Sequence, residues 1–170
     1  MIGNIQNILS KNVILCGGTP EDRHSFISQT REAFLERWPA AAIFTLSEHI
    51  GDADRYLKSV RKEFPVESSD KNKYDLSRDQ LNDSYLGWVK KHKSVLVIIP
   101  EIQKLYKNQP NYFYQIMGDY MAAQQSLAGH CVLRFLATLN ESYPIDVKKV
   151  PVLIGGNWRP SEKDLGVVVL

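Results

Sequence analysis

The chain predicts an α/β fold built on a parallel sheet covered on both faces, and three observations carry that prediction. Apolar runs of strand length alternate with segments whose apolar residues recur at helical spacing. Two of the runs, Val13–Cys16 and Val95–Ile99, lack the polar alternation of a strand with one wet face, as expected for strands buried on both sides. Glycines and polar residues follow the runs at Gly17-Gly18, Glu101, Asn140 and Gly155-Gly156, at the carboxyl ends of strands where α/β proteins hold ligands.

The order of elements starts with Asn12–Phe26. The strand Val13–Cys16 leads into Gly17-Gly18, where glycine lets the backbone take positive φ or approach a ligand closely. Thr19, Pro20 and Asp22 then supply a hydroxyl N-cap, a proline at the first helical position and an acid in the capping-box place. The helix runs from Pro20 to Arg37, with Phe26, Ile27, Thr30, Phe34 and Trp38 at helical spacing, and Pro39 ends it. Ala41–Leu46 is a second strand, and Ser47–Phe64 is expected to be helical up to Pro65. Val66–Lys73 is polar and loop-like. Ser77 and Gln80 form a second capping box ahead of a face made by Leu81, Tyr85, Trp88 and Val89.

Ser94–Ile99 is the third strand, stopped by Pro100, with a short helix from Ile102 to Lys107. Asn111–Leu127 is an amphipathic helix burying Phe113, Ile116, Met117, Tyr120 and Met121, and Gly129 caps its end. Cys131–Thr138 is a fourth strand and Val150–Ile154 a fifth. The closing Val167–Leu170 is either an edge strand or a segment that binds a partner.

Length and composition fit one domain over residues 1–170, with 44% hydrophobic and 24% charged residues, so disorder is not expected. A net charge of +2 does not mark a nucleic-acid protein, though it permits a local basic patch. Cys16 and Cys131 lie in apolar runs and read as buried thiols of a reducing compartment. The start of the chain lacks the basic and continuous apolar regions of a signal peptide, and no run approaches the roughly 18 apolar residues that cross a bilayer. A cytoplasmic protein with no membrane partner is the expectation. The histidines at 24, 49, 92 and 130 have no metal-ligand spacing, so no metal site is predicted.

The layout around Gly17 is that of a phosphate-binding loop whose chemistry has been replaced. In GxxxxGK[ST] the backbone wraps the phosphates, Lys reaches the terminal ones and Ser/Thr holds Mg²⁺. Counted from Gly17, the second glycine falls on Asp22, the lysine on Arg23 and the Ser/Thr on His24. Glu21 and Asp22 put negative charge where a phosphate would sit, and a plain well-capped strand-to-helix turn accounts for the same residues.

With the elements placed, the chain resembles a degenerate P-loop ATPase core of the AAA+ class, nearest to DnaA and the DnaC/IstB-type helicase loaders, over roughly residues 12–143. Gly17-Gly18-Thr19 stands for the family's GGT, and Pro39 with Ser47-Glu48 for its next strand and Ser-Glu pair. VLVIIPEIQKL is similar to a Walker B strand, keeping Glu101, Ile102 and Gln103 but with Pro100 in place of the metal-binding Asp. The helix with NYFYQIMGDYM is similar to the family's Phe-rich helix, and LRFLATLNESYP to a sensor-1 strand, with Asn140 or Thr138 as sensor residue.

The resemblance implies a three-layer P-loop NTPase-like fold without a complete lid. It also implies that hydrolysis is lost with the lysine, the Mg²⁺ ligand and the Walker B acid, because those groups supply most of the charge stabilisation in phosphoryl transfer. Gly17, Gly18, Thr19, Arg23 and Asn140 are the candidate nucleotide-binding residues, for ATP or ADP held without hydrolysis, and Glu101 is the candidate catalytic residue. Glu101 is either a general base or a cap for the following helix. Arg23 either meets a phosphate or a partner's carboxylate, or pairs with Glu21 or Asp22 in its own helix. Arg159 is a finger-type arginine or a surface one, and Lys90, Lys91, His92 and Lys93 a phosphate contact or the solvated end of a helix.

The expected function is therefore a non-catalytic adaptor or regulator working on a protein partner, such as another AAA+ or DNA-processing protein, in replication, repair, mobile-element or defence machinery. A non-hydrolysing nucleotide sensor is the alternative, and a Rossmann-like nucleoside-processing enzyme built on Glu101 is the third.

Overall fold

The computed structural model describes residues 2–63, 86–151, 161 and 163–170. Its centre is a five-stranded, all-parallel sheet in the order β2-β3-β4-β1-β5, made by β1 (Asn12–Cys16), β2 (Ala42–Thr45), β3 (Ser94–Ile99), β4 (Val132–Leu139) and β5 (Leu165–Val169). From β1 the chain crosses to the far edge as β2, returns through β3 and β4, and adds β5 outside β1. The helices are α1 (Ile2–Ser10), α2 (Pro20–Arg37), α3 (Ala53–Glu63), α4 (residues 86–92), α5 (Gln103–Asn108) and α6 (Pro110–Gln125).

Strand alternation divides the core in two. Val13, Leu15, Leu96, Ile98, Leu136 and Val168 face one side, where they pack with Ile5 and Ile8 of α1 and with Phe26 and Phe34 of α2. Ile14, Cys16, Val95, Val97, Ile99, Leu133, Phe135 and Ala137 face the other, against Tyr56, Val60, Val89, Leu105, Phe113, Met117 and Tyr120. The crossover from β1 therefore lies on the opposite face from the helices that follow β2 and β3, which opens a crevice at the carboxyl ends of the strands. Register is pinned by Asn12, whose amide nitrogen donates to the Asp164 carbonyl at 3.3 Å and whose Oδ1 accepts the Phe135 N–H at 3.0 Å.

Several sequence expectations change. Helix α1 was not foreseen. Helix α3 starts at Ala53 and not at Ser47, because residues 47–52 make a turn with His49 at φ 60° and Asp52 accepts the Arg55 N–H at 2.8 Å as the helix's cap. No strand occupies Val150 and Pro151; Val150 closes a 3₁₀ turn over Val147–Lys149, and Pro151 packs on Gly118 of α6. The rest of that expected strand, Gly155-Gly156 and Arg159 lie outside the described residues, as do Val66–Lys73 and the Ser77–Gln80 box. The closing valines do form a strand, pairing Val167 with Ile14 and Val169 with Cys16. Among the described residues no helix is long and apolar enough to cross a membrane.

Phe135, fully buried at the middle of β4, tests the core: Phe135→Ala should cost about 3–5 kcal/mol in urea denaturation. Leu35→Ala, at a position 40% exposed on α2, should change stability by less than about 0.5 kcal/mol.

Candidate functional site

The candidate site is built outward from the glycine pair. Gly17 and Gly18 take φ of 78° and 69°, the left-handed region that a side chain strains, and a Cβ on Gly18 would come within 2.9 Å of Leu170. Leu170 arrives there because its N–H continues the β5 ladder to the Cys16 carbonyl at 2.9 Å. Next comes the predicted capping box. Thr19 Oγ accepts the Asp22 N–H at 3.1 Å, and Asp22 Oδ2 accepts the Thr19 N–H at 2.8 Å and its hydroxyl at 2.9 Å. These bonds from the Thr19 backbone and side chain hold the Asp22 carboxyl below the usual carboxylate range.

One turn further along α2, on the face that buries Phe26, Thr30 and Phe34, stands Arg23. Its Nη1 donates to the Gly17 carbonyl at 3.0 Å and the Gly18 carbonyl at 2.7 Å, and its Nε donates to Glu101 Oε1 at 2.7 Å. The two side chains are 6% and 18% exposed, so the pair is largely out of water. Glu101 comes from just beyond β3 with φ 53°, an uncommon conformation that costs a non-glycine residue about 1–3 kcal/mol and needs support from its surroundings. The support is β4: Thr138 Oγ accepts the Glu101 N–H at 2.9 Å, and the Thr138 carbonyl accepts the Ile102 N–H at 2.9 Å. Glu101 Oε2 accepts the Gln103 amide at 3.1 Å, so both its oxygens are engaged within the protein.

Arg23, Glu101, Gly17, Gly18 and Thr138 thus come together, with changed partners, while Thr19 bonds within its own capping box. Arg23 pairs with Glu101 and not with Glu21 or Asp22 of its own helix. Glu101 does not cap the next helix, which starts after Ile102 without a side-chain cap. Of the two sensor-position candidates Thr138 lies in the crevice; Asn140 accepts a hydrogen bond from the Tyr143 hydroxyl at 3.1 Å. His24 is exposed and Pro100 buried at the positions that the sequence counting gives to the Mg²⁺ ligands, and no group of three or more metal-ligating side chains occurs among the described residues. Cys16, at the end of β1, has its thiol pushed up by burial and is not poised as a nucleophile.

The crevice itself is a cleft of about 870 Å³ between the start of α2 and the turn after β2, lined by Arg23, His24, Ser28, His49, Glu101 and Thr138 among others. Glu48, His49 and Leu170 were not singled out by sequence as site residues. In sequence the Ser47-Glu48 pair marks only a strand end, and nothing local signals that Leu170 returns to Gly18.

No family profile and no curated protein matches the chain by sequence. Among solved structures it is similar to a Walker-type ATPase of Pyrococcus abyssi, with a TM-score of 0.55 and 13% identity over 98% of this chain. The fold is P-loop NTPase-like. The chain spans about half, 51%, of that ATPase's length, and at this identity the likeness is one of fold.

Two measurements test the site. Arg23→Met should lose about 1–3 kcal/mol by leaving Glu101 without its cation, and Arg23→Met combined with Glu101→Gln should lose less than the two single changes summed. Strict additivity in a urea double-mutant cycle would show that the pair is not made in solution. The capping box should give an acid-side signature. Because the folded pKa of Asp22 is lowered, its contribution is present above the unfolded value of about 3.9 and is lost as pH falls through the folded one. The stability gap between the wild type and Asp22→Ala should therefore narrow as the pH falls below about 4.

Proposed function

We propose that this protein is a P-loop ATPase-like scaffold that acts without hydrolysing nucleotide, as an adaptor or regulator whose effect is delivered through contact with another protein. The observation that carries this reading is the closed set of bonds around Arg23. The cation at the lysine position donates from Nε to Glu101 and from Nη1 to the carbonyls of the glycine loop, and each oxygen of the acid already accepts one hydrogen bond, from Arg23 or from Gln103. A general base or a phosphate clamp built on this pair would have to work against the bond that already joins the acid to the cation. With His24 and Pro100 at the metal positions, the groups that stabilise charge in phosphoryl transfer are missing or occupied. The resemblance to DnaA and helicase loaders suggests a DNA-processing assembly as the setting, and the partner would then be a protein of that assembly.

A second reading, a nucleotide sensor, is favoured by one observation: the cleft beside Arg23 has room, at about 870 Å³, for a ligand that could compete with Glu101 for the guanidinium. The nucleoside-processing alternative draws no such support, since its carboxylate is engaged on both oxygens.

Calorimetric titration with ATP and ADP, each with and without Mg²⁺, separates these readings, alongside a phosphate-release assay. The scaffold predicts no binding at about millimolar nucleotide and no release. Binding that ignores Mg²⁺ and disappears in Arg23→Ala would establish the sensor instead. Turnover that Glu101→Gln abolishes would overturn both.

A further inference from the structure

We propose that the amino-terminal edge of the sheet, beside β2 and β3, is a docking surface for a nucleic-acid backbone. In an all-parallel sheet the crossover helices return their C-terminal ends to this edge. Helix α2 ends at Arg37 and leads through Trp38 into β2, and α4 ends with Lys90, Lys91 and His92, leading through Lys93 into β3. Ala42 pairs with Val95, so the two lead-ins lie side by side, about 4.8 Å apart across the sheet. Arg37, Lys90, Lys91 and Lys93 are all exposed. Among the described residues no carboxylate lies within ion-pair distance of any of them.

Cations near helix C-termini ordinarily complement the helix dipole. Here two of the four are held elsewhere. The Arg37 guanidinium lies over the Trp38 ring at 5.2 Å, and the Lys91 ammonium over the Trp88 ring at 5.0 Å, where Trp88 also stacks on His92 at 5.0 Å and an interplanar angle of 4°. Lys93 lies beyond the end of α4 with φ 64°, so its side chain does not belong to the last turn. Further along the same edge Lys11 precedes β1 and Lys163 precedes β5, against the acids Glu36 and Asp164. The Asp164 carboxylate accepts the Ser161 N–H at 2.8 Å and hydroxyl at 3.0 Å.

Four exposed cations clustered at two adjacent strand lead-ins, two of them resting on indole rings, complement a polymer with phosphates at regular intervals. The contact is to the backbone, so it is independent of base sequence and steeply dependent on salt.

The test is fluorescence anisotropy of the full chain with a labelled mixed-sequence duplex of about 20 base pairs, titrated across salt concentration. Four phosphate contacts predict a log–log salt slope of about −3 to −4. The triple variant Lys90→Glu, Lys91→Glu, Lys93→Glu should bind at least about tenfold more weakly, with a shallower slope. Lys104→Glu, Lys148→Glu, Lys149→Glu, which changes exposed lysines of α5 and of the 3₁₀ turn after β4, should stay within about twofold of the wild type. Thermal melts of both triples control for folding. No binding at about 50 mM salt, or equal losses in the two triples, would overturn the proposal. Binding to polyglutamate in place of DNA would also overturn it, marking the edge as a site for an acidic protein.

Discussion

The contact between Arg23 and Glu101 is the constraint on which the carboxyl edge of this sheet depends. It ties the start of α2 to the end of β3, and through the Glu101 N–H on Thr138 it draws in β4; through the carbonyls of Gly17 and Gly18 it sets the loop after β1. A largely buried ion pair adds little net stability compared with well-packed apolar side chains, but half of one is costly. The pair is therefore better understood as fixing which arrangement the edge adopts. The unusual backbone at Glu101 persists because its carboxylate, its N–H and the N–H after it are all held by bonds that another conformation would forfeit.

An arginine at position 23 accounts for how the closure is made. A lysine ammonium is a compact point charge on a flexible stem, suited to following a phosphate. The guanidinium is a rigid fork, and here one nitrogen serves two carbonyls while another meets the carboxylate. Asp22 acts in the same direction at the helix start, where its carboxylate takes the Thr19 N–H and hydroxyl. Positive ends that a P-loop protein offers to a phosphate are here turned on groups of the chain itself.

Much of the fold was legible because it rests on local signals. The capping box at Thr19–Asp22, the proline after β3 and the unbroken apolar runs of β1 and β3 each follow from short-range chemistry, and each appears in the structure. The expected start of α3 at Ser47 fails because Asp52 provides the cap and leaves residues 47–52 as a turn, where the Ser47 N–H is held by Ser59. At the site, sequence brought out Arg23 and Glu101 separately. Their pairing was not legible because 78 residues separate them and the geometry depends on a non-glycine residue at φ 53°. Leu170 over Gly18 was hidden for the same reason, since only the pairing of β5 with β1 brings it there.

The two edges of the sheet treat charge in opposite ways, and the difference bears on where the protein can act. At the carboxyl edge the central charged groups bond to one another and to backbone, so an incoming anion competes with Glu101 for the guanidinium. At the amino edge Arg37 and Lys91 rest on indole faces, which hold a cation in place without neutralising its charge. A phosphate arriving there breaks no internal ion pair among the described residues and releases condensed counterions as it binds. The same sheet that positions an internally bonded ion pair at one end therefore carries, at the other, cations with no ion pair among the described residues.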